Sequence, residues 1–86
     1  MNIEKLKEVA HEKRIILTQE KLPKDVKFIL RMRLNAILSN HSSAFLSDLL
    51  FQYLRTVCDL YDNKKITKEQ FEKLMIDYDT LKAILL

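Results

Sequence analysis

Leu60-Tyr61-Asp62-Asn63-Lys64-Lys65-Ile66-Thr67-Lys68-Glu69-Gln70-Phe71 holds the end of one helix, a turn, and the start of the next. Asn63-Lys64-Lys65 interrupts an otherwise periodic apolar pattern with polar residues. Thr67-x-x-Gln70 is a capping box: a hydroxyl and an amide three residues apart satisfy backbone N–H groups that a helix start leaves unpaired. Ile66 and Phe71 fall at the two positions of a hydrophobic staple. Downstream, Phe71, Leu74, Met75, Tyr78, Leu81 and Leu85 recur at helical spacing. Upstream, from about Ser43 to Asp62, the apolar sector is wider: Leu46, Leu49, Leu50, Tyr53, Leu54, Val57, Leu60 and Tyr61, with Phe51 and Cys58 extending one flank. That width predicts a central helix touched on more than one side. The short connection predicts an antiparallel hairpin.

The same periodicity continues towards the N-terminus. Pro23 blocks continuation of a first helix, about Asn2 to Glu20, and suits the first turn of a second, which runs to about Ser39. Ile3, Leu6, Val9, Ala10, Ile16 and Leu17 form the first stripe, which Lys13 crosses by its aliphatic stem. Val26, Ile29, Leu30, Leu34 and Ile37 form the second, and Asp25 complements the helix dipole. Asn40-His41-Ser42-Ser43 makes the intervening turn and offers a serine N-cap. The expectation is an all-α fold, a small antiparallel helical bundle of four helices, with residues 1–86 as a single helical domain. The alternative is a three-helix core with the first helix projecting, or swapped into a dimer.

Glycine is absent, and Pro23 is the single proline. This removes the phosphate loop, the dinucleotide turn and the nucleophile elbow, which all need glycine, and argues against a sheet with tight hairpins. One cysteine, Cys58, forms no internal disulfide, so a reducing, cytoplasmic setting is expected. Met1-Asn2-Ile3-Glu4-Lys5 carries an early acid with no apolar run of signal-peptide length after it, and no stretch is long enough to span a membrane. The net charge of +3 is uneven: residues 1–33 hold nine Lys or Arg against five Asp or Glu, and the remainder holds six against seven.

Chemistry-bearing motifs are weak. Read as a calcium loop, the stretch from Asp59 puts Tyr61 third, Lys64 in place of the turn glycine and Gln70 in place of the bidentate acid, so a hard cation lacks its oxygens. His11, His41 and Cys58 lack paired metal-ligand spacing. No activating neighbour stands near Cys58. Asp77 and Asp79, two apart on a helix, point to different sides. No cofactor, no metal site and no catalytic constellation are expected, and the chain reads as a non-enzyme.

The second helix carries the most informative pattern. Lys24, Lys27, Arg31 and Asn35 follow steps of four and three and form a basic stripe opposite the apolar face. Such a stripe neutralises phosphates, and Phe28 beside it suits stacking on an unpaired base. The plainer reading is a solvated face with Phe28 tucked against a neighbouring helix. Arg33 falls inside the apolar sector, so it either pairs with an acid on another helix or marks an interface. A helix-turn-helix is disfavoured, because the would-be reading helix (from Ser43) exposes Asp48, Asp59 and Asp62. Phe28, Met32, Leu38, Phe51 and Ile84 lie off the main stripes or at their edges, and an exposed cluster of them would mark a binding site.

The joint from Leu60 to Gln70 loosely resembles that of the four-helix proteins that confer immunity to class II bacteriocins, which are small, basic and cytosolic. Small phage-encoded inhibitors of host enzymes are similar in size and composition. The resemblance covers only this joint, and fold does not establish function. The missing catalytic constellation and an apolar surface generous for so small a core give the first expectation, a small cytoplasmic bundle that binds and regulates a protein partner, with Lys24, Lys27, Phe28, Arg31, Arg33, Asn35 and Phe51 as candidate contact residues. The alternative expectation is nucleic-acid binding through the basic faces of the first two helices.

Overall fold

Each amphipathic segment has one stripe to bury, and four such stripes close on one another. The computed structural model describes residues 2–40 and 42–85. It contains α1 (Ile3–Gln19), α2 (Lys24–Ser39), α3 (Ser43–Asp62) and α4 (Lys68–Leu85), with no strand among the described residues. His41, expected in the α2–α3 turn, lies outside the described residues. The helices form a ring in which α1 packs on α2 and α4, and α3 packs on the same two. Lys13 pairs with Asp77 while Glu20 pairs with Lys73, so α1 and α4 run in opposite directions. The radius of gyration, 12.1 Å, matches the ~12 Å of a compact chain of this length.

Helix α1 is a full member of the core. Leu6 and Ala10 are wholly buried, beside Val26, Leu30 and Ile37 of α2, Leu46 and Val57 of α3 and Leu81 of α4 in one continuous cluster. The alternative with α1 projecting is thereby set aside. The width of the α3 sector misled on one point: α3 is no more central than the other helices. In a four-membered ring each helix has two neighbours, so one flank of α3 stays wet and Phe51 is 60% exposed.

Helix ends follow the local chemistry. The Asn2 side chain caps α1 by accepting from the Lys5 N–H at 2.9 Å. At α4 the capping box forms in full: Gln70 N–H donates to Thr67 Oγ1 at 3.1 Å, and Thr67 N–H donates to Gln70 Oε1 at 2.8 Å. Ile66 is buried, and Phe71 stacks on Tyr61 with ring centroids 4.4 Å apart. Ser42 occupies the N-cap position of α3 but makes no side-chain cap bond.

The end of α3 departs from the glycine argument. Lys65 N–H donates to the Leu60 carbonyl at 2.8 Å and Lys64 N–H to the Tyr61 carbonyl at 3.0 Å. These are the two bonds of a Schellman turn, which needs a left-handed residue between them. Lys64 fills that place at φ 60°, the one positive φ among the described residues. A side chain with a Cβ is disfavoured there by about 1–2 kcal/mol. Lys64→Gly is expected to raise the unfolding free energy by about 1 kcal/mol, and Thr67→Ala to lower it by about 1 kcal/mol. Urea denaturation of both variants checks this, and a destabilised Lys64→Gly would contradict the turn.

Candidate interaction surface

The bundle has two kinds of seam. Between α1 and α4 the contacts are ionic: Lys13 Nζ lies 3.0 Å from Asp77 Oδ1, and Lys73 pairs with Glu20. The hydrogen bond that Lys73 donates to the Glu20 carboxylate, reinforced by the Glu20 and Asp77 charges, holds the Lys73 ammonium above its ordinary value. Beneath the pairs lies a cavity of about 30 Å³, lined by Lys13, Leu17, Leu34, Tyr53, Leu74 and Asp77. It has room for about one water, against ~300 Å³ or more for a small-molecule site. Tyr53 reaches this cavity from α3 and is 2% exposed. Its burial, and then the nearby Asp77 carboxylate, push its phenol above the ordinary value of 10.0.

Between α1 and α2 the contacts are cationic and neutral. Arg14 donates to Asn35 Oδ1 at 2.8 Å and to His11 Nδ1 at 3.0 Å. Lys27 Nζ donates to the Thr18 carbonyl at 3.2 Å, which places a cation over the C-terminus of α1, where α1 has no basic residue of its own. Two members of the expected stripe, Lys27 and Asn35, thus tie α2 to α1. Lys24 and Arg31 remain exposed, and with Asp25, Lys27 and Phe28 they line a shallow open groove.

Arg33 follows neither expected course in full. It is half-buried in the α2–α3 seam, yet its partners are not acids: Nε donates to Thr56 Oγ1 at 3.1 Å and Nη1 to Gln52 Oε1 at 3.4 Å. Neutral acceptors satisfy the hydrogen bonds and leave the charge in place. Arg33 is therefore set apart from Lys24 and Arg31, on the other side of α2. Phe51 is set further apart: it sits about 100° around α3 from Gln52, away from α2.

Phe28 is not tucked against a neighbour. It is 57% exposed, and Met32, one turn on, is 51% exposed. Leu38 and Ile84 do pack against the core. Sequence reasoning missed Phe45, 62% exposed, and Ile76, 65% exposed. Their signal was present in the spacing, since Ile76 lies outside the Leu74, Tyr78, Leu81 and Leu85 stripe. It also missed Arg14, which joins the cations of α2 across the seam.

Among the described residues no three His, Cys, Asp or Glu side chains are grouped to hold a metal ion, and no helix is long and apolar enough to cross a membrane. Comparison with protein-family models, curated proteins and solved structures finds no match to this chain.

The buried phenol sets a pH dependence. Tyr53 stays neutral in the folded state at a pH where the unfolded chain has lost that proton, so above about pH 10 the unfolded state binds fewer protons and stability falls as pH rises. Unfolding free energies measured between about pH 9.5 and 11 should fall more steeply for the native chain than for Tyr53→Phe. Parallel slopes would contradict the burial of the hydroxyl.

Proposed function

We propose that this chain is a non-catalytic cytoplasmic module that binds and regulates a protein partner, as an inhibitor, an immunity-type factor or an adaptor. One observation carries the reading: three of the four phenylalanines, Phe28, Phe45 and Phe51, are more than half exposed. Exposed aromatic and methionine side chains are the usual anchors of protein interfaces, and a small domain gains nothing for its own core by leaving them in water. Phe28 and Met32 share one face of α2, bordered by the exposed Lys24 and Arg31. The lone Cys58 fits a reducing compartment.

A second reading has an observation of its own. Arg14, Lys24, Lys27 and Arg31 form no ion pair with an acid among the described residues, so the α1–α2 side keeps its positive charge. A phosphate backbone suits such a side, and binding would weaken steeply with salt. The protein-partner reading ranks first because Phe28 and Met32 add an apolar centre that phosphate contact does not use.

The test is affinity capture from the host's lysate, with and without nuclease and at low and high salt. The expected result is one stoichiometric protein that survives nuclease and salt, and that Phe28→Ser/Met32→Ser no longer retains. Nucleic acid captured at low salt and released at high salt would overturn this reading in favour of the second.

A further inference from the structure

Helices α2 and α4 lie across the ring from each other, since each packs on α1 and α3. Their outward faces therefore point in opposite directions. On α2, Phe28 is preceded four residues earlier by Lys24 and followed three residues later by Arg31. On α4, Ile76 is preceded four residues earlier by Glu72 and followed three residues later by Asp79. All six side chains are exposed. The two faces thus carry the same pattern, an apolar centre with a charge on either side, with opposite sign.

We propose that the α2 face of one copy docks on the α4 face of a second copy. With Phe28 laid on Ile76, the flanking charges stand about 6 Å to one side and about 4.5 Å to the other at 1.5 Å per residue. Lys24 and Arg31 then oppose Glu72 and Asp79 within about 1.5 Å in either helix direction. None of these four charges has an ion-pair partner among the described residues of its own chain, so each is available to the other copy. Met32, 51% exposed, widens the apolar centre on α2, and Glu69 extends the acidic side of α4. Asp25 is the one opposing charge on the α2 face.

The contact joins unlike surfaces, so it is heterologous, and oppositely directed faces do not close a dimer. Association extends head to tail. A protein partner seated on α2 would block this growth, but the inference does not rest on such a partner.

Sedimentation of the purified protein tests it without a lysate. At about 0.05 M salt the average mass should rise with concentration from 10.2 kDa past that of a dimer, and at about 0.5 M salt it should return to the monomer. Lys24→Glu/Arg31→Glu alone and Glu72→Lys/Asp79→Lys alone should each weaken association at least tenfold, with circular dichroism unchanged. An equimolar mixture of the two variants should restore it, because each altered face then meets its opposite. A monomer under every condition overturns the proposal, as does a mass that stops at a dimer, or a mixture no more associated than its components.

Discussion

Everything else in the bundle is arranged around the burial of one aromatic ring. Tyr53 is the largest fully enclosed side chain, and its cavity is lined from all four helices: Leu17 on α1, Leu34 on α2, Tyr53 itself on α3 and Leu74 on α4. Burying a ring of that size is among the largest single apolar contributions available to a chain of 86 residues, whose core is small for its surface. The phenol needs a polar surrounding at its far end. Lys13 and Asp77 pair across the α1–α4 seam and line the same cavity as Tyr53. The ion pairs add to the apolar burial of Leu6, Ala10 and Leu17 that holds α1 in the ring.

That closure decides which charges remain for other uses. The acids of the α1–α4 seam, Glu20 and Asp77, neutralise Lys73 and Lys13. On the flanks of α2 the cations meet, among the described residues, neutral oxygens and one imidazole nitrogen: Arg14 at Asn35 and His11, Lys27 at a carbonyl, Arg33 at Thr56 and Gln52. These bonds fix the side chains without cancelling their charge. Helix α2 is consequently held in the bundle as an electropositive element, with Phe28 and Met32 uncovered on its outer face. Partner binding and self-association, as proposed above, both draw on this combination.

The four helices were legible because apolar periodicity and end signals agreed: Pro23 before α2, the Thr67–Gln70 box before α4, and short polar joints between. Local pattern does not carry partner identity. Arg33 was visibly out of place in its stripe, but an acid on α3 was as plausible from sequence as the hydroxyl and amide that meet it. Lys64 was invisible as a left-handed residue, since glycine or asparagine is the usual sign of that geometry. Phe51, at the edge of the α3 sector, is 60% exposed, in keeping with its place among the edge residues; a helical wheel shows which side of a helix is apolar and not how many neighbours that side has. Of the expected contact residues, Lys24, Phe28 and Arg31 lie together, whereas Lys27 and Asn35 serve the α1–α2 seam and Arg33 and Phe51 stand elsewhere.

The uncovered apolar side chains of α2 are surplus to the fold only if the core is complete without them, and α1 is the element on which that completeness turns. Native-state amide hydrogen exchange measures this directly. A closed ring predicts that the slowest amides of α1, around Ala10, exchange only by global unfolding, with the same free energy as those of α3 around Val57. If the α1 amides instead opened locally, with protection lower by several kcal/mol, α1 would be only loosely docked. Phe28 and Met32 would then belong to an unfinished core and not to a binding face.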